Sequence, residues 1–308
     1  MSYRLTMSET PGEGLRRCAA EQLDAAREGL AAATAATRAE AVHEARKSLK
    51  KTRSLLRLAR PVIGAKRFNP ANAALRDAGR TLSGTRDADV LVQVVEDLDE
   101  RYVGQVPASA FVTLRAAVLT AARTPAPGRG EDPLPAAIQQ LRAVSDEIAG
   151  WPVDGATWDT VTDGLARTYV RGRRDLADVD ATATATVEVR HDWRKRVKDL
   201  WYQQRLVVDA WEPVITAEAE EAHSLSELLG DDHDLAVLHE AIATGRVDAG
   251  PQADAILELV ERRQEELLRE SLVLGRRIYA ESSKAFAKRL KGYVTVWADT
   301  QKPASAGI

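Results

Sequence analysis

Three features of the sequence predict an all-α fold. Alanine, leucine, arginine and glutamate dominate, residues that lose little rotamer freedom in a helix, whereas Phe, Tyr and Trp together make up 5%. Apolar residues recur at helical spacing through long stretches with few breakers. No strand-like alternation of useful length is present. The chain has 308 residues, 44% hydrophobic and 29% charged, enough for one large domain or two smaller ones with well-developed cores.

Taken in order, the pattern predicts helices at Glu13–Thr37, Glu40–Arg60, Asn69–Ser83, Asp87–Tyr102, Ala108–Arg123 and Leu134–Ala149. A second set is predicted at Thr157–Ala177, Thr184–Ala210, Val214–Leu229, Asp234–Thr244, Gln252–Tyr279 and Ser282–Trp297. Pro61, Pro107, Pro213 and Pro251 each stand where a helix should stop or begin. Thr124–Pro133 (TPAPGRGEDP) reads as a loop, and Gly150–Gly155 (GWPVDG) as the joint between two halves, 9–149 and 150–300.

No apolar run approaches the roughly 18 residues of a membrane span. The stretch Met1 to Glu21 is broken by Glu13, Arg16 and Arg17, unlike a signal peptide. The single cysteine, Cys18, excludes an internal disulfide and fits a reducing cytoplasm. The net charge of −3, from 43 Lys and Arg against 46 Asp and Glu, gives no hint of an anionic partner; the distribution of charge does.

Two blocks repeat. VHEARKSLKK from Val42 lies over RHDWRKRVKD from Arg190, placing His43 on His191, Arg46 on Arg194, Lys47 on Lys195 and Lys50 on Lys198 at an offset of 148. SGTRDADVL from Ser83 lies over GDDHDLAVL from Gly230, with Arg86 on His233, at an offset of 147. Two blocks in the same order at nearly one spacing predict duplicated helical halves, with His43 and His191 in equivalent places facing a shared cavity.

On a helix, His43, Arg46, Lys47, Lys50 and Arg57 share one sector of roughly 100°, opposite Val42, Ala45, Leu49 and Leu56. Residues 43–57 hold six basic side chains against Glu44 alone. The second half repeats the ridge with His191, Arg194, Lys195, Lys198, Tyr202 and Arg205, opposite Trp193, Val197 and Leu200. Weaker ridges are Arg76–Arg80–Ser83, Arg167–Arg171–Arg174 and Arg277 with Lys284, Lys288 and Lys291. A solvated face interleaves Glu with Lys and gains a few tenths of a kcal/mol per pair. These ridges stack like charges instead, a cost that an anionic partner would cancel. Packed together they predict a groove or pore of positive potential that concentrates polyanions, with Arg forks and Lys point charges for phosphate. Single-stranded nucleic acid would want stacking platforms among the basic residues, and the ridges offer only Tyr202 and Trp201. That favours a polyanion without bases, such as linear polyphosphate.

The blocks HEARKSLKKTR and HDWRKRVKDLWY, each followed by an SGTRD or GDDHD junction, resemble the CHAD family, the conserved histidine α-helical domain, as does the closing segment LGRRIYAESSKAFAKRL. The resemblance runs from about Glu13 to Trp297. It implies two helical bundles related by pseudo-twofold symmetry around a basic channel that binds inorganic polyphosphate, and association with polyphosphate granules. Carried over by position, the anion-contacting candidates are His43, Arg46, Lys47, Lys50, Arg76, Arg80, Arg86, His191, Arg194, Lys195, Lys198 and Tyr202, with His233 and Lys284 beside them. Arg57, Arg205 and Lys288 join them from the ridges. Glu227 stands where the other half has Arg80, and Ala108–Ala149 has no counterpart to Lys284 and Lys288, so the channel is expected to be lopsided.

The adjacent pairs His191-Asp192 and His233-Asp234 raise a metal-dependent phosphohydrolase as an alternative. Neighbours on a helix point about 100° apart, so each pair needs distant ligands, and the surrounding Arg and Lys repel a divalent cation. Neither an ExExK barrel pattern nor a P-loop occurs. An interaction module for an acidic protein is the third reading. The expectation is a binding protein without catalysis, cofactor or metal.

Overall fold

The computed structural model describes residues 3–82, 87–123, 132–181 and 185–300. Among these residues there are eleven α-helices and no strands. They are α1 Pro11–Ala31, α2 Arg38–Ile63, α3 Ala65–Thr81, α4 Asp87–Arg101, α5 Ala108–Arg123 and α6 Pro133–Ala149, then α7 Trp158–Asp180, α8 Val187–Leu206, α9 Glu212–Ala243, α10 Ala253–Ile278 and α11 Ser283–Thr300. None of the described helices is long and apolar enough to cross a membrane. The segment Thr124–Pro133 falls largely outside the described residues, as do Ser83 and Arg86.

Packing divides the apolar side chains into two cores. One gathers α1, α2, α3, α6, α7, α8, the first half of α9 and part of α11, with Leu5, Leu15, Leu56, Leu165, Trp193 and Leu200 at 0–1% exposure. The other joins α4, α5, α10 and the second half of α9, around Leu114, Leu238, Ile256 and Val260. In the first half of the chain α1 packs on α2 and α6, and α2 on α3; in the second, α7 packs on α8 and α11, and α8 on α9. The halves meet where α2 packs on α7 and α8, and again where α4 packs on α9.

Of the boundaries that differ from the sequence reading, three do so for a clear local reason. The first helix begins two residues earlier, at Pro11, because Thr10 and Glu13 form a reciprocal capping box. The second does not stop at Pro61. It runs on to Ile63, and the chain breaks at Gly64, whose φ of +76° suits a residue without Cβ. The predicted pair Val214–Leu229 and Asp234–Thr244 is one 32-residue helix, about 48 Å long. Gly230 is not a break there. A Cβ on it would lie 2.8 Å from Nη2 of Arg194, so the glycine admits an arginine from α8. That continuity lets α9 run from one core into the other.

A strap of residues 3–9 precedes α1 and lies over the end of α8. Leu5 N donates to the Leu206 carbonyl at 2.8 Å, Tyr3 Oη to the Lys51 carbonyl at 3.0 Å, and Arg17 Nη2 to the Arg4 carbonyl at 2.8 Å. Cys18 is buried beneath this strap, its thiol donating to the Arg4 carbonyl, and burial pushes its pKa up to about 11, as befits an inert packing residue.

Candidate functional site: the basic crossing of α2 and α8

The helices that carry the two basic ridges cross one another. At the crossing Ser54 Oγ donates to the Asp199 carbonyl at 3.2 Å, and Gln203 Nε2 donates to the Ser54 carbonyl at 3.1 Å. Arg57 Nη1 meets Asp199 Oδ1 at 2.7 Å. On the opposite flank Lys51 lies within the field of Arg205. Residue 57 beside 199 and residue 51 beside 205 define an antiparallel crossing.

Cations collect on both flanks. On one, Lys47, Arg205 and Arg4 line a cavity of about 830 Å³, and Lys51 lies within the field of Lys47 and Arg205. Burial, together with Arg205 and Lys47, pushes Lys51 down to about 8. Its ammonium sits 5.5 Å from the centre of the Tyr3 ring, and Arg205 lies 5.8 Å from that of Trp201. On the other flank Arg53 donates from Nε to Asn72 Oδ1 at 3.0 Å, and burial with Arg57, Arg76 and Arg80 pushes it down to about 10. Beyond lies a third group, where burial and the charges of Arg196, Arg60 and Arg167 depress Arg171.

The expectation of ridges free of carboxylates is too strong. Lysine and arginine stems are long enough to reach acids one helical turn away. Lys195 bonds Asp192 at 2.6 Å, Lys47 bonds Glu44 at 3.3 Å, and Arg76 and Arg80 share Asp77 at 3.2 and 3.5 Å. Asp199, 5% exposed, is the deeper counter-charge, holding Arg57 and, at 3.5 Å, Arg196, which also approaches Asp175 at 3.8 Å. Lys51, Arg53, Arg194 and Arg205 make no ion pair among the described residues. They carry the uncompensated charge.

The antiparallel crossing also separates the two repeated histidines. His43 and His191 each lie about 16 Å of helix before the crossing, on opposite sides of it. His191 instead stacks on His233 of α9, ring centres 4.4 Å apart. Both Nδ1 atoms are buried without a hydrogen-bond partner among the described residues, as is Nε of Arg194 beside them. Burial, His233 and the charges of Lys195 and Arg194 push His191 down to about 4, and burial with Arg194 lowers His233, so both rings are neutral at pH 7.

Other expected residues fall outside the crossing or beneath it. Tyr202 is 2% exposed, stacked on Trp201 at 4.5 Å and edge-on to Tyr3 at 6.4 Å; its ring is part of the core and offers no face to a ligand. Lys284 and Lys288 are exposed on α11, which packs mainly on α7 and the turn at 208–210. Lys50 is exposed, and Arg46 and Lys198 are half-buried, on the crossing helices. Arg4, Lys51, Arg53, Arg60 and Arg196 join the basic groups although the ridges omit them. Lys51 and Arg53 lie just off the ridge sector, and the signal that reveals them is the crossing register, not the helix face. Among the described residues no three His, Cys, Asp or Glu side chains come together as metal ligands.

No curated protein matches the sequence. The CHAD domain profile matches residues 17–243, which include both ridges, the crossing and the histidine stack. Spanning most of the chain, that match makes this protein a member of the CHAD domain family.

Proposed function

We propose that the protein binds inorganic polyphosphate, without hydrolysing it, along the basic flanks of the α2–α8 crossing. The observation that carries this reading is the set of half-buried cations without carboxylate partners, with Lys51 brought down to about 8 by burial and by Arg205 and Lys47. Like charges about 4 Å apart repel by roughly 1 kcal/mol in water and about 4 kcal/mol near a protein surface. Such a cost is retained where a ligand cancels it. A linear anion with a charge on each repeating unit can run from one flank to the other and meet Lys51 and Arg205, then Arg53 and Arg57, in succession.

The same proposal reads residues 9–149 and 150–300 as repeats about a pseudo-twofold axis at the crossing. At the 148-residue offset, Lys51 corresponds to Asp199 and Arg57 to Arg205. In a twofold contact, if i meets the copy of j, then j meets the copy of i. Arg57 meets Asp199 and Lys51 lies by Arg205, as this rule requires. The same register makes the two flanks unequal, because one carries Lys51 where the other carries Asp199.

Binding without turnover is favoured by the state of the carboxylates. Hydrolysis needs acids placed to hold a metal and activate water, but Asp192 is taken up by Lys195, and Asp199 by Arg57 and Arg196. Calorimetry with long-chain polyphosphate at low salt, beside a phosphate-release assay with magnesium and with manganese, tests both parts. The expected result is heat of binding and no released phosphate. Absence of binding would remove the first claim, and metal-dependent release the second.

A further inference from the structure

The cavity beside Lys51 has two unlike walls. One is cationic, with Lys47 from α2, Arg205 from α8 and Arg4 from the strap. The other is a single face of α9, Thr216, Ala219, Glu220 and His223 at helical spacing, continued by Val208. That face carries apolar carbon, one carboxylate and an imidazole stacked on Trp201 with ring centres 3.9 Å apart. Trp201 itself is 9% exposed, whereas the His223 side chain is 42% exposed, so the flat surface offered to the cavity is the histidine ring. Inorganic phosphate has no use for such a wall. A volume near 830 Å³ falls in the range of sites for small organic ligands, which are largely apolar with a few placed polar groups. Two of the lining residues, Tyr3 and Arg4, precede the span matched by the family profile.

We propose that this cavity is a binding site for a nucleoside polyphosphate, whose phosphates lie on Lys47, Arg205 and Arg4 and whose base lies against His223 and Ala219. Glu220 is placed to accept hydrogen bonds from ribose hydroxyls or an exocyclic amine. The site holds one ligand and does not read a strand, because the aromatic rings behind His223 are stacked on each other and closed to further bases. It shares Arg205 with the path proposed for long polyphosphate, and it is told apart by the α9 wall, which that path does not use.

The test uses the full chain in calorimetric titrations with ATP, tripolyphosphate and ribose 5-phosphate at one ionic strength, with melting curves to confirm the fold of each variant. ATP is expected to bind at one site per chain, about tenfold more tightly than tripolyphosphate, a difference of about 1.4 kcal/mol. The His223→Ala substitution should bring ATP down to the level of tripolyphosphate and leave the tripolyphosphate affinity unchanged, whereas Arg205→Gln should weaken both. Equal affinities for ATP and tripolyphosphate in the unaltered chain would overturn the proposal, as would ribose 5-phosphate binding as tightly as ATP, or a His223→Ala chain that retains the preference for ATP. If His223→Ala unfolds, Glu220→Gln, on an exposed position of the same face, takes its place with the same expected loss of preference. Long-chain polyphosphate titrated separately reports on the earlier reading alone.

Discussion

Replacing Asp199 by asparagine should destabilise the protein in a way that polyphosphate repairs. The carboxylate is 6% exposed as a side chain and lies 2.7 Å from Arg57, which is 22% exposed. It also lies 3.5 Å from Arg196, 27% exposed. Removing one partner of a buried pair costs about 3–5 kcal/mol, because the other charge is left uncompensated. Both arginines retain some contact with water, so the low end applies, about 3 kcal/mol. At roughly 2 °C per kcal/mol for a chain of this size, the melting temperature should fall by about 6 °C. The loss should be greatest at low salt, where the crowded cations are least screened. Adding long-chain polyphosphate should raise the Asp199→Asn variant by more than the unaltered protein, since phosphate would replace the missing counter-charge to Arg57. Melting curves by circular dichroism, with and without polyphosphate at two salt concentrations, measure this. An unchanged melting temperature would show that the ion pair does not tie the two halves. A destabilised variant that gains no more from polyphosphate than the unaltered protein would refute the idea that Arg57 faces the anion.

Further outcomes follow from the same geometry. Burial brings Lys51 down to about 8 in the folded chain against an ordinary 10.5, so the unfolded chain holds the extra proton between these values. Stability should therefore rise with pH from about 8 towards 10.5, and Lys51→Met should flatten that rise in melting curves taken across the range. His191 is held near 4 against 6.5, so its contribution is present above pH 6.5 and lost as pH falls towards 4; His191→Gln should lose less stability over that window. Gly172→Ala should cost about 1–3 kcal/mol by overpacking, since a Cβ there would lie 2.1 Å from Oη of Tyr279; chemical denaturation would measure it. Alanine at Arg46, Lys50, Arg194 and Lys198 together should abolish polyphosphate binding in a titration while melting shifts by only a few degrees, because none of the four is an apolar core residue.

Much of this was legible in the sequence because helices are encoded locally. The run HEARKSLKKTR carries both its apolar stripe and its basic face within a few turns, and α2 forms as the spacing predicts. Gly230 misled for the opposite reason. Its role is set by Arg194, distant in sequence, and a glycine that admits a side chain looks in sequence like one that ends a helix. Lys51 was hidden by the same limit. It lies just off the ridge of α2, and only the register of α2 against α8 makes it a neighbour of Arg205. Tyr202 falls on the ridge sector of α8 but beneath the strap, whose Tyr3 turns that sector into core. A repeat fixes equivalence, not proximity: an antiparallel crossing sends equivalent residues to opposite ends.

The central claim is tested most directly by titrating the full chain with long-chain polyphosphate at two salt concentrations, in competition with single-stranded DNA. Each phosphate neutralised at the crossing releases counterions, so the affinity should fall steeply as salt rises. Single-stranded DNA at equal phosphate concentration should displace little of the bound polyphosphate, because the aromatic rings beside the cations are already stacked among themselves. No binding at the lower salt concentration, or full displacement by the DNA, would contradict the account.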